Sequence, residues 1–85
     1  MPHISLENLQ LSVSLTDVVS DVDERVIEFL EICGGKINND YTSYSSEKFD
    51  NIAHLLVTLK DIVLILEEKK WKITFDSESS NLLSR

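Results

Sequence analysis

Glycine, proline and cysteine are all scarce in this 85-residue chain, with two, one and one copies. So few glycines and prolines leave little means of making tight turns, and long regular elements are expected. A lone cysteine, Cys33, excludes an internal disulfide. It agrees with a reducing compartment, so a cytoplasmic location is expected. Cations are also few, with eight Lys and Arg against fifteen Asp and Glu and a net charge of −7. That balance opposes nucleic-acid phosphate and anionic membrane surfaces and favours a basic protein partner. Long apolar runs are missing too. The longest, Ile62 to Leu66, is far too short to cross a bilayer. The N-terminal Met1-Pro2-His3-Ile4-Ser5 has neither the basic region nor the apolar core of a secretory signal.

What is present is an amphipathic pattern. Asp17, Asp21, Glu24, Glu28 and Glu31 recur at spacings of 4, 3, 4 and 3, which stacks them along one helical face. The other face reads Val19, Val22, Val26, Phe29, Leu30 and Cys33. One helix over about residues 16–33 is predicted, capped by Thr16 or Ser20 and stopped by Gly34-Gly35. Between Asp17 and Glu31 lie six acids and one base, Arg25. The negative charge is thus concentrated on one ridge.

A second helix is predicted over about 46–69, with Ser45 or Ser46 as cap. Phe49, Ile52, Leu56, Leu59, Val63 and Leu66 form its stripe, and Leu55 and Ile62 widen it. Val57, Leu64 and Ile65 fall on other faces, so one facing helix cannot cover it. Alternation in 9–15 predicts a strand with Leu9, Leu11, Val13 and Leu15 inward. Alternation in 71–75 predicts another, with Trp71, Ile73 and Phe75 on one face. A second parse makes 62–66 a strand joined to 71–75, but the intervening Glu-Glu-Lys-Lys lacks turn formers and ranks lower. Residues 34–45 read as a long polar loop, and 1–8 and 76–85 as flexible ends of a single domain, 1–85.

The expected fold is therefore α+β and mostly helical: a helical hairpin flanked by short N- and C-terminal strands, β-α-α-β, which pair with each other. The alternative is an all-α helical-hairpin dimer. Spare apolar surface on the second helix, at Val57, Leu64 and Ile65, is expected to serve a homodimer or an adaptor role.

No catalytic constellation can be assembled. His3 and His54 have no second ligand at helical spacing, so no metal pair is formed. Cys33 ends a helix, where the dipole raises rather than lowers a thiol pKa. Gly34-Gly35 follow a helix instead of preceding one and make no phosphate loop. Lys69, Lys70 and Lys72 around Trp71 are too few for a nucleic-acid patch in so acidic a chain. No cofactor is expected. The acid ridge diverges from a convex surface and makes a poor cation site. The expected function is a non-enzymatic, acidic protein-binding module of inhibitor, immunity or antitoxin type. Its expected partner-binding residues are Asp17, Asp21, Glu24, Glu28 and Glu31, with the loop tyrosines Tyr41 and Tyr44. The alternative is a structural adaptor, or a secretion-chaperone-like assembly subunit, working through the apolar surface of the second helix.

Overall fold

Alternating residues at the N-terminus start the architecture. His3, Ser5 and Glu7 alternate with Ile4 and Leu6, and this stretch forms strand β1 (His3–Glu7). The computed structural model describes residues 1–85. After β1 come β2 (Gln10–Ser14), a 3-10 helix (Thr16–Asp21) and α1 (Glu24–Ile32). β3 (Gly35–Ile37), β4 (Ser43–Ser46), α2 (Ile52–Glu68), β5 (Thr74–Phe75) and α3 (Ser77–Leu83) follow. All five strands join one sheet in the order β3-β4-β2-β1-β5. Every pairing is antiparallel except β1 with β5.

This overturns the expected fold. The chain is a mixed α/β fold with a five-stranded sheet, 22% strand and 46% helix. It is neither a mostly helical β-α-α-β hairpin nor an all-α dimer. Three strands lie where loops or flexible ends are expected. β1 comes from the first eight residues, and β3 and β4 come from the long polar connection. The expected pairing of the 9–15 strand with 71–75 also fails, because β2 lies between β4 and β1 while β5 adds to the outside of β1.

Register divides the sheet into two unlike faces. Ile4 pairs with Val13, Leu6 with Leu11, and Val13 with Tyr44. Ile4, Leu11, Val13 and Tyr44 are buried on that face. Successive residues point to opposite faces, so His3, Ser5, Ser12, Ser14, Ser43 and Ser45 share the other. A face of serines needs no cover. All helices therefore lie on the apolar side, where Val26 and Leu30 of α1, Leu55, Leu59, Ile62, Ile65 and Leu66 of α2, and Leu82 of α3 complete the core.

The β1–β2 turn is Asn8-Leu9, with φ of 52° and 63°. Positive φ at both central positions of a two-residue loop is the I′ pattern, which normally recruits glycine at the second. Leu9 accepts this backbone because its side chain packs on the core and its carbonyl takes the Phe49 N–H at 2.8 Å. The expected first helix is split. A 3-10 stretch ends at Asp21, Val22 is extended, and Asp23 caps α1 by accepting the Val26 N–H at 3.1 Å. Asn51 caps α2 in the same way through the His54 N–H, at 2.8 Å. The expected caps Ser45 and Ser46 belong to β4.

The expected C-terminal tail is α3, with Leu82 and Ser79 buried. Asp76 fastens it. Its Oδ1 accepts the Ser79 N–H at 2.9 Å and its Oδ2 the Leu6 N–H at 3.0 Å, while its own N–H donates to the Ile4 carbonyl at 3.0 Å. One carboxylate thus caps a helix and stitches it to β1. Partial burial pushes this carboxyl up. The Ser79 and Leu6 N–H groups and the charge of His3 outweigh that and hold it below its ordinary value of 3.8. A lowered folded pKa means the stabilisation is complete above the ordinary carboxylate range and is lost as pH falls through the folded value. Asp76→Ala is expected to cost roughly 1–2 kcal/mol in urea unfolding at neutral pH, from the lost cap and the orphaned Leu6 N–H. The gap between variant and native protein should close as pH drops below about 3.8. A gap that stays constant into acid would show that the carboxylate is not the fastening.

Candidate functional site

α1 and α2 run against each other over the sheet, and two ion pairs tie the start of α1 to the end of α2. Arg25 reaches Glu68 at 2.7 Å and Lys69 reaches Asp23 at 2.8 Å. The Arg25–Glu68 pair is largely exposed and the Lys69–Asp23 pair partly so, so they add little stability. Their effect is to commit the local cations. The hydrogen bond from Lys69 and the N–H of Val26 hold the Asp23 carboxyl below its ordinary value.

Between the two helices lies an open groove of about 510 Å³. Phe29 and Ile32 from α1 and Leu64 and Ile65 from α2 give it an apolar lining. Glu28, Asp61 and Glu68 are the acids on its walls, and Arg25 is its only cation. Helical spacing accounts for this set. At 100° per residue, Glu28, Ile32, Arg25 and Phe29 succeed one another across one side of α1. Val57, Asp61, Leu64 and Glu68, spaced 4, 3 and 4, form one stripe on α2. Two exposed apolar residues line the groove, Ile32 at 82% and Leu64 at 62%, while Val57 and Ile52 of α2 are exposed outside it. The serine face of the sheet offers nothing comparable.

The expected ridge survives only in part. Glu24, Glu28 and Glu31 are exposed on one face of α1. Asp17 and Asp21 are exposed on the separate 3-10 helix, and Asp17 lies 2.9 Å from the Met1 amino group. Glu28 turns towards the α1–α2 groove, whereas Glu31 borders a different cleft with Gln10, Lys36 and Glu47. The two tyrosines separate. Tyr41 sits at a loop φ of 59° and is 43% exposed. Tyr44 is fully buried in the sheet core and offers no surface to a partner. Of the three apolar α2 residues, Val57 and Leu64 are exposed, and Ile65 is 5% exposed at the groove floor. Sequence reasoning passed over Asp61 and Ile32. The 4-3-4 stripe through Val57, Asp61, Leu64 and Glu68 was the available signal for Asp61. For Ile32 the signal was the helical wheel, which sets it about 40° from Glu28 and off the Val26–Leu30 stripe.

Comparison with protein families, curated proteins and solved structures returns no match. The reading of this groove therefore rests on its own chemistry.

Other reactive groups are scattered. Cys33 is half-buried; burial and the charge of Asp61 push its thiol up, away from nucleophilic character. His54 is exposed with its ring edge-on to Phe49, centroids 5.1 Å apart. No three His, Cys, Asp or Glu side chains converge to hold a metal ion.

The Tyr44 hydroxyl is buried without a hydrogen-bond partner. Burial pushes its phenol up to about 12. It lies directly under Gly35, where an added Cβ would meet the Ser45 carbonyl, the Tyr44 hydroxyl at 2.6 Å and the Ser46 Cα at 2.7 Å. Gly35 is thus required by close approach, while Gly34 at φ 89° supplies the left-handed cap of α1. Gly35→Ala is expected to destabilise by roughly 1–3 kcal/mol. Tyr44→Phe should be neutral or stabilising by up to about 1 kcal/mol, because the hydroxyl gives up water and gains nothing. Thermal unfolding of both variants tests this. A Tyr44→Phe protein that loses more than about 1 kcal/mol would reveal a partner for that hydroxyl.

Proposed function

We propose that this chain is a non-enzymatic, acidic protein-binding module that engages a basic surface on a partner, in the manner of an inhibitor, immunity protein or antitoxin. One observation carries the reading: Glu24, Glu28 and Glu31 stand exposed on one face of α1, and none of them is in an ion pair. Carboxylates left unpaired beside one another repel, and a cationic surface relieves that repulsion as it binds. Such a face speeds encounter and fixes specificity more than it adds affinity.

A second reading has its own observation. Val57 and Leu64 leave apolar surface open on α2, as an adaptor or assembly subunit would. Reversal of charge separates the two. Chains carrying Glu24→Lys and Glu28→Lys, and the native chain, would each be used as bait in host lysate. The native bait is expected to retain basic proteins, with retention falling as salt rises, and the reversed bait to lose them. Both substitutions lie on an exposed face, so unfolding temperature should stay within a few degrees. Retention of the same partners by both baits would favour the apolar reading.

A further inference from the structure

The two readings converge on one place. Glu28 of the acidic face and Leu64 and Ile65 of the apolar face border the same groove. We infer that the α1–α2 groove is the docking site for a short amphipathic helix of a partner protein, apolar on one side and flanked by lysines or arginines. This rests on the protein-binding reading above and names the partner's chemistry.

Charge selects the occupant. Three acids and one arginine border the groove, and that arginine is held by Glu68 at 2.7 Å. Glu28 and Asp61 keep their charge free. Neither takes part in an ion pair. A wholly apolar ligand would leave both carboxylates at the edge of a dry interface without partners, which is costly. A second copy of this chain is worse. Two grooves face to face would bring together six carboxylates, three from each, against two arginines. A cationic ligand answers both charges while its apolar side covers Ile32 and Leu64.

Shape selects a helix. Two packed helices leave between them a channel that takes a third, with side chains at i, i+3 and i+4 entering it. α1 has nine residues, so the channel beside it is roughly 13 Å long, matching two to three helical turns. Addition of a strand is less suited, because the edge strands β3 and β5 have only three and two residues.

The test uses the whole chain and two synthetic helical peptides of about fourteen residues. Both carry leucine at i, i+3, i+4 and i+7; one is flanked by lysines and the other by glutamates. Fluorescence anisotropy would give the affinities, and amide shifts in NMR spectra the site. The lysine peptide is expected to bind, to weaken with salt, and to shift the amides of Ile32, Asp61 and Leu64. The glutamate peptide should not bind. Leu64→Ser and Ile32→Ser change exposed residues, and each should weaken binding about tenfold. Asp61→Lys should do the same while leaving the α1 ridge intact.

Failure of both peptides to bind overturns the inference. So does lysine-peptide binding that survives Leu64→Ser and Ile32→Ser. If such binding is nevertheless lost with Glu24→Lys and Glu28→Lys, the basic-partner reading stands and only the groove falls. If it survives those as well, both fall. A dimer in light scattering that Leu64→Ser converts to monomer would assign the groove to a second copy and overturn the inference.

Discussion

The structure depends on the two-sidedness of its sheet. Ile4, Leu11, Val13 and Tyr44 point one way, and serines 5, 12, 14, 43 and 45 point the other. A sheet with one hydroxylated face can be covered on one side only, so all three helices crowd onto the other. Layering of this kind is what brings α1 and α2 side by side. Each then spends its most apolar stripe on the sheet, through Val26 and Leu30 in α1 and through Leu55, Leu59, Ile62 and Leu66 in α2. Beyond those stripes Phe29 and Ile65 form the more buried side of the groove and Ile32 and Leu64 its exposed apolar rim, and the groove follows from that packing.

The same constraint explains what the sequence could and could not convey. β2 was legible because its alternation is uninterrupted, and α2 because its apolar period persists for seventeen residues. β1 carries the same alternation as β2. It was obscured by its position at the chain end and by a turn, Asn8-Leu9, without glycine. β3 and β4 gave almost no signal: three and four residues, mainly Gly, Lys and Ser, are held by pairing rather than by propensity. Tyr44 looked like a loop tyrosine for that reason, since only the register opposite Val13 makes it a core residue.

The acidic repeat shows how a correct period can describe the wrong object. Spacing of 4, 3, 4 and 3 holds from Asp17 to Glu31, yet the backbone breaks at Val22–Asp23. Asp23 draws the Val26 N–H onto its carboxylate and receives Lys69 from the far end of α2, so the helix restarts there. The partner is 46 residues away in sequence, and no local pattern encodes it. Val18, Val19 and Val22, poor helix formers, and Asp23 itself, a preferred capping residue, were the local hints at the break.

That restart also decides the electrostatics. Had one helix run unbroken, all five acids would have formed a single convex ridge with its charges spread outward. Instead, Asp17 and Asp21 leave with the 3-10 helix, and Arg25 and Lys69 are consumed by Glu68 and Asp23 at the point where α1 meets α2. Of the unpaired carboxylates, Glu28 on one wall and Asp61 on the other border exposed Ile32 and Leu64. Negative charge beside low-polarity surface is felt more strongly by a ligand than the same charge on an open ridge, because less water screens it. The net charge of −7 therefore says less about this protein than where the helix packing sets Glu28 and Asp61, beside exposed apolar surface.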